Sequence, residues 1–114
     1  MVLRCNRLQG WFKVITQEGN GEIVHGNVKV QYHGMLVDGT VFDSTRAPGR
    51  KPFAFNVGQG EVIRGWDEGV ATMKVGEKAT FYISSAYGYG SHGMGDDIPP
   101  NSPLIFEVEA ESCL

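Results

Sequence analysis

The most regular pattern of hydrophobic and polar positions in this 114-residue chain lies between residues 60 and 73. At about 100° per residue, the apolar positions of this segment fall within an arc of about 120°, and the charged residues fall outside it. These apolar positions are Val62, Ile63, Trp66, Val70 and Met73. The pattern predicts one short amphipathic helix. Gly65 and Gly69 flank the apolar stripe, and since each glycine costs a helix roughly 1 kcal/mol, we expect a sheet to approach the helix closely there.

The start of this predicted helix has the features of a small binding site. Its predicted first-turn residues are Glu61, Val62 and Ile63, and N–H groups in a first turn have no partner inside the helix. A free donor beside Ile63 and Trp66 makes an apolar site with one hydrogen-bond donor, which suits a neutral carbonyl ligand. The alternative interpretation is that Trp66 belongs to a sealed core.

Short alternating segments separated by glycine-rich turns predict strands on both sides of the helix. These segments are residues 11–16, 28–33, 40–44, 53–57, 78–83 and 104–109. Asp38-Gly39 is typical of a tight hairpin, and such turns favour antiparallel pairing. The sequence therefore predicts an α+β fold in which a curved antiparallel sheet of five to six strands wraps around one short α-helix. Residues 1–10 are predicted to be either an extra edge strand or a loose N-terminal extension.

A long glycine-rich segment, residues 87–100, precedes the last predicted strand. Loops longer than about 12 residues in a compact domain are usually functional or disordered. Tyr87, Tyr89, Met94 and Ile98 argue against disorder here, because apolar and aromatic side chains favour packing. We therefore expect this loop to take part in the function.

Composition and charge exclude several classes of protein. A chain of 114 residues with 41% hydrophobic residues predicts one soluble globular domain over residues 1–114. The formal net charge of −3 gives no indication of nucleic-acid binding, and no apolar run is long enough to span a membrane. Cys5 and Cys113 do not make a disulfide framework; they could meet if the terminal strands pair, but we expect reduced thiols and a cytoplasmic location.

Motifs for covalent, metal or cofactor chemistry are absent from the sequence. There is no Cys-x-x-Cys, no His-Glu-x-x-His and no Gly-x-Ser-x-Gly. The three histidines are His25, His33 and His92, and each lies in a separate segment. We therefore expect neither a metal nor a cofactor.

Several strings of the sequence together indicate a family. The strings are YHGML at 32–36, DGTVFDS at 38–44, PFAF at 52–55, VIRGWDEGV at 62–70, YGYG at 87–90, IPPN at 98–101 and LIFEVE at 104–109. Over residues 14–109 the chain resembles the FKBP-type peptidyl-prolyl isomerases, the immunophilins that bind tacrolimus and rapamycin, in the order of these strings and nearly in their spacing. The family fold, a curved antiparallel sheet around one short helix, agrees with the pattern of strands and helix.

The resemblance implies a ligand pocket with Trp66 as its floor and Asp43 as an acid at its edge. The apolar walls that it implies are Tyr32, Phe42, Phe53, Val62, Ile63 and Phe106, with Tyr89 and Ile98 from the long loop. It further implies that the Ile63 N–H and the Tyr89 hydroxyl bind ligand carbonyls. The residues that it assigns to the reaction are Phe42, Asp43, Trp66 and Tyr89. Asp43 has an alternative role, as a structural acceptor of hydrogen bonds at the pocket edge.

The function that the resemblance implies is peptidyl-prolyl cis-trans isomerisation of proline-containing peptides and protein clients. Tacrolimus and rapamycin would be inhibitors, calcineurin a partner of the drug-bound complex, and the protein a monomer without nucleic-acid or membrane partners. Two alternatives stay open: a non-catalytic binding module of the same fold, and one domain of a larger co-chaperone.

Two loops depart from the family pattern. The loop at residues 46–52 is about one residue longer than in small members, so the family's basic contact cannot be assigned to Arg50 rather than Pro48. In the long loop, Met94, Gly95 and Asp97 replace the residues that are usual in the family. These departures predict altered loop contacts around an unaltered pocket floor.

Overall fold

Six antiparallel strands form one open sheet, and one short helix packs on it; this confirms the predicted α+β fold of a five- to six-stranded sheet around a short helix. The computed structural model describes residues 10–113. The strands are β1 (Trp11–Gln17), β2 (Asn27–Leu36), β3 (Val41–Ser44), β4 (Phe53–Asn56), β5 (Lys78–Ile83) and β6 (Leu104–Cys113). The helix is α1 (Arg64–Gly69), and 3₁₀ turns follow at Val70–Thr72 and Ser85–Tyr87. The predicted extension, except Gly10, and Cys5 lie outside the described residues.

Strand β2 pairs with three other strands of the sheet, which are β3, β4 and β6. The order across the sheet is β1-β5-β6-β2-β3, and β4 also pairs with β2. β3 pairs with the C-terminal half of β2, where His33 is opposite Ser44. β4 pairs with the N-terminal half of β2, where Val30 is opposite Phe53. β3 and β4 therefore lie one after the other along the side of β2 that faces away from β6.

One face of the sheet forms the core, as the alternation of the sequence predicts. Val28, Val30 and Tyr32 of β2 are buried. The predicted inward set of β5, which is Ala79, Phe81 and Ile83, is buried as well. Register shifts occur in the pairings of β1 with β5, β2 with β3 and β2 with β6, and such irregularities bend and twist strands.

No helix among residues 10–113 is long and apolar enough to cross a membrane.

The helix begins three residues later than the sequence predicts. Glu61, Val62 and Ile63 were expected in its first turn, but α1 starts at Arg64, and Ile63 is its N-cap with φ −58° and ψ 151°. The prediction was wrong because the extended ψ of Ile63 is not helical, although its carbonyl already accepts the N–H groups of Trp66 and Asp67 at 3.0 Å each. Periodicity places an apolar stripe but cannot detect such a cap.

The two helix glycines lie against the sheet, which confirms the predicted close approach. A Cβ atom at Gly65 would lie 2.6 Å from a methyl carbon of Ile83. A Cβ atom at Gly69 would lie 2.7 Å from the ring of Phe81. Because both contacts are far inside van der Waals distance and both partners are buried, larger residues would push the helix away from the sheet.

We predict that Gly69→Ala destabilises the fold, although alanine is the better helix former by about 1 kcal/mol. Overpacking against Phe81 should lower the free energy of unfolding by about 1–3 kcal/mol, measured by urea denaturation. The double variant Gly69→Ala/Phe81→Leu should lose less than the sum of the two single variants, since the smaller side chain makes room. A Gly69→Ala variant as stable as the wild type would contradict the close approach.

Candidate ligand-binding pocket

A cavity of about 410 Å³ opens between the sheet and the start of the helix. It brings together every predicted site residue except Ile98 and adds Glu61, which the sequence did not assign to the site. The lining residues are Tyr32, Phe42, Asp43, Phe53, Glu61, Val62, Ile63, Trp66, Tyr89 and Phe106. Because they come from β2, β3, β4, β6, α1 and two loops, the pocket depends on the whole fold.

Trp66 lines the cavity from within a cluster of aromatic rings. The ring centroid of Tyr32 lies 4.9 Å from that of Trp66 and the centroid of Phe106 lies 5.2 Å from it, both in edge-to-face geometry. Edge-to-face pairs at such distances attract each other through the ring quadrupoles. Only 4% of Trp66 is exposed, so it belongs to the core and lines the pocket at once. The two interpretations offered by the sequence are therefore not exclusive.

A glycine near the C-terminal end of β2 makes room for two rings of the pocket wall. A Cβ atom at Gly34 would lie 2.6 Å from the Phe106 ring and 2.9 Å from the Phe42 ring. The centroids of these two rings are 5.4 Å apart. Sequence reasoning missed Gly34, although a glycine inside an alternating strand is a signal for close approach of another group.

Asp43 is held at the pocket edge by three hydrogen bonds. The Tyr32 hydroxyl donates to its Oδ2. The guanidinium of Arg50 donates to its Oδ1 at 2.9 Å, and the Ser44 N–H donates to the same oxygen at 2.9 Å. The basic contact from the longer loop to Asp43 is therefore made by Arg50, and position 48 does not supply it. The sequence could not show this, because the loop length left the alignment open.

Burial and hydrogen bonding shift the pKa values of this cluster in opposite directions. Burial works to raise the pKa of Asp43, but the hydrogen bonds from Tyr32 and Arg50 outweigh it, and the pKa lies below the ordinary aspartate value. Burial, followed by the bond to Asp43, raises the pKa of Tyr32 to about 12. At neutral pH Asp43 is therefore a carboxylate, and Tyr32 keeps the proton that it donates.

Several donors of the lining residues lack partners within residues 10–113, among them the buried indole N–H of Trp66. The Ile63 N–H precedes the helix and has no acceptor among the described residues. The Tyr89 hydroxyl likewise makes no hydrogen bond there, and burial, followed by the charge of Asp43, raises its pKa. Both residues are half-buried, so both donors are available to a ligand carbonyl.

The long loop differs from the prediction at Ile98. This residue is 2% exposed and packs in the core, and it does not line the cavity. Its N–H donates to the Met94 carbonyl at 3.1 Å, and the Met94 N–H donates back to the Ile98 carbonyl at 2.8 Å. This closed turn directs Ile98 inward and leaves Met94, Asp96 and Asp97 exposed at its tip.

Metal ligands do not gather among residues 10–113. No three histidine, cysteine, aspartate or glutamate side chains lie close enough there to hold an ion. His25 and His92 are exposed, and the Nδ1 of His33 lies 3.0 Å from the Ser44 hydroxyl.

We predict that the Asp43 carboxylate stabilises the protein at neutral pH and loses this effect in acid. Because its folded pKa is lowered, the contribution is present above the unfolded aspartate pKa of about 4 and disappears as the pH falls through the folded value. Asp43→Asn should lower Tm by roughly 2–5 °C at neutral pH, an effect kept small by the partial exposure of the pair. The gap should close in thermal scans taken at decreasing pH. An equal gap at neutral and acid pH would refute this origin of the stability.

Comparisons with known proteins agree with the geometry. Residues 19–111 match the family model described as FKBP-type peptidyl-prolyl cis-trans isomerase. The chain is 56% identical to FK506-binding protein 1 of Dictyostelium discoideum over 97 residues, which cover 83% of this chain and 90% of that protein. It is 57% identical to peptidyl-prolyl cis-trans isomerase Fkbp12 of Drosophila melanogaster over 82 residues, or 72% of this chain and 75% of that protein.

A longer relative shows the same similarity in one part of its chain. Peptidyl-prolyl cis-trans isomerase FKBP4 of Homo sapiens is 46% identical over 104 residues, which cover 89% of this chain and 22% of that protein. The family match spans most of the chain, and the identities are high over most of the two shorter relatives. The chain therefore belongs to the FKBP-type peptidyl-prolyl cis-trans isomerases, and its enzyme class is isomerase.

Proposed function

We propose that the 410 Å³ cavity binds the X-Pro segment of peptides and protein clients and lowers the barrier to rotation about the X-Pro bond. The observation that carries the proposal is the combination of aromatic walls with unpartnered donors at Ile63 and Tyr89. Apolar walls suit the proline ring, and the donors suit the carbonyl groups that flank it.

Removal of water from the peptide bond supplies the rate acceleration in this proposal. The planar bond is held by resonance, with a barrier of about 18–20 kcal/mol. Resonance places negative charge on the carbonyl oxygen, which water stabilises, and the carbonyl is less polar in the twisted transition state. An apolar pocket therefore penalises the planar ground state more than the twisted state. A few kcal/mol suffice, since about 1.4 kcal/mol gives a tenfold rate.

In this mechanism the pocket residues have different roles. Trp66 and Phe42 hold the proline ring, while Tyr89 and the Ile63 N–H hold the carbonyls. The contacts of Asp43 favour a positioning role, because its carboxylate already accepts bonds from Tyr32, Arg50 and Ser44.

The same pocket is proposed to bind tacrolimus and rapamycin. Relatives carry the name FK506-binding protein, and FK506 is tacrolimus. Calcineurin would then meet the drug together with the loops at 46–52 and 91–98. Since both loops depart from the family pattern, we expect the drug to bind well and the complex to inhibit calcineurin less effectively.

A protease-coupled assay on a short Leu-Pro peptide tests the proposed activity. We expect the wild type to accelerate isomerisation and tacrolimus to abolish the acceleration. Phe42→Leu should lower kcat/KM by about tenfold, the equivalent of roughly 1.4 kcal/mol of lost wall contact. Phe12→Leu is the matched control, because Phe12 stacks on Tyr82 at 4.8 Å and does not line the cavity.

The outcomes of this assay separate the enzyme from the alternative binding module. No acceleration, with tacrolimus still bound by calorimetry, would favour a non-catalytic module of the same fold. Equal losses in Phe42→Leu and Phe12→Leu would show that the losses come from stability and not from the pocket.

We predict that the exposed turn containing Asp96 and Asp97 selects the charge next to the proline. Two exposed carboxylates in the loop that carries the lining residue Tyr89 should favour peptides with Lys over Glu at the flanking position by about two- to fivefold at low salt. Asp96→Ala/Asp97→Ile should remove this preference in competition assays and should alter calcineurin inhibition at saturating tacrolimus. If neither quantity changes, the turn does not take part in selection.

A further inference from the structure

The segment between β4 and α1 carries three lining residues, and it contains a glycine turn that side-chain packing does not fix. Glu61, Val62 and Ile63 line the cavity. Just before them, Gly58 and Gly60 adopt positive φ angles of 79° and 72°, which only glycine adopts readily. No atom lies within 4 Å of the place where a Cβ would stand at either glycine. Val57, Val62 and Ile63 pack against the core, so it is the glycine turn between them that needs contacts other than side-chain packing.

Two carboxylates hold the segment through its N–H groups. The Oδ1 of Asp67 accepts the Gly58 N–H at 2.9 Å, and its Oδ2 accepts the Gly60 N–H at 3.1 Å. The two oxygens of Glu61 accept the backbone N–H and the side-chain amide of Asn56, each at 3.0 Å. Hydrogen bonds to a charged acceptor are shorter and stronger than neutral ones. We call these four bonds the carboxylate clamp.

Asp67 connects this clamp to the pocket floor. It follows Trp66 in α1, and its own N–H donates to the Ile63 carbonyl at 3.0 Å. Asp67 thus holds the preceding segment at two places, the glycine turn through its carboxylate and Ile63 through its backbone N–H. If these bonds were lost and the segment shifted, the Ile63 N–H would move relative to the Trp66 ring.

We propose that Asp67 is a positioning residue for the isomerase pocket, which sets the place of the Ile63 N–H over the floor through its two bonds to the glycine turn. The inference rests on the proposed function of this pocket. Reaction rates are sensitive to the placement of such groups, and an error of about 1 Å can cost as much as a hundredfold. Glu61 supports the same segment from the β4 side.

The test compares Asp67 with a second carboxylate that has the same chemistry at a remote place. Glu77 is 2% exposed, and it accepts the Lys74 N–H at 3.2 Å and the Lys13 ammonium at 2.8 Å, but it does not line the cavity. We expect Asp67→Ala and Glu77→Gln both to lower Tm. Only Asp67→Ala should lower kcat/KM, by about tenfold at a temperature where both variants are folded.

Two further variants and a spectroscopic measurement keep the proposal falsifiable. Asp67→Asn, which retains one acceptor oxygen, should fall between wild type and Asp67→Ala if the latter folds poorly, and Asp67→Glu should recover part of the loss. The amide resonances of Val62 and Ile63 should shift in the Asp67 variants and stay in place in Glu77→Gln.

The outcomes distinguish a failure of the positioning role of Asp67 from a failure of the proposed isomerase function. If Asp67→Ala loses no more kcat/KM than Glu77→Gln, or if the Ile63 resonance does not move, the positioning role is wrong. If the wild type shows no isomerase activity, the proposed function fails, and the amide resonances alone then decide whether Asp67 places the Ile63 N–H.

Discussion

The packing of Trp66 under the sheet is the contact on which the structure depends. Helix α1 has only six residues, and an isolated helix shorter than about 12–15 residues is marginal in water. It persists because Trp66 and Val70 are buried against the inner face of the sheet and because Gly65 and Gly69 let the backbone come close to Ile83 and Phe81. The same packing leaves the start of the helix at the cavity, so that folding of the core also forms the pocket floor.

Polar groups at the pocket are arranged in two different ways. Around Asp43 every acceptor oxygen has donors, from Tyr32, Arg50 and Ser44, and such satisfied networks fix geometry. At Ile63 and Tyr89, in contrast, the donors have no partner within the described residues. The first arrangement holds the aromatic walls in place. The second leaves hydrogen-bonding capacity for carbonyl groups of a ligand, which is why the proposed function needs neither a nucleophile nor a metal.

Local patterns of the sequence were sufficient for the sheet but not for the contacts between loops. Alternation together with turn signals predicted the six strand segments, and the stripe containing Trp66 predicted the helix, because burial of one face imposes these periods. The helix start was missed because Ile63 is an extended cap, which no periodicity reveals. The bonds of Arg50 to Asp43 and of Asp67 to the glycine turn join residues through loop conformations. The core position of Ile98 depends on its paired bonds with Met94.

Fluorescence of Trp66 during ligand titration tests the central claim most directly. Trp11 and Trp66 are the two tryptophans of the chain, so Trp11→Phe isolates the emission of Trp66. If Trp66 is the floor of a pocket that binds proline segments and tacrolimus, its emission should change with saturation as either ligand is added. Tacrolimus binding measured by calorimetry, with no change in Trp66 emission, would contradict the claim and assign Trp66 to the core alone.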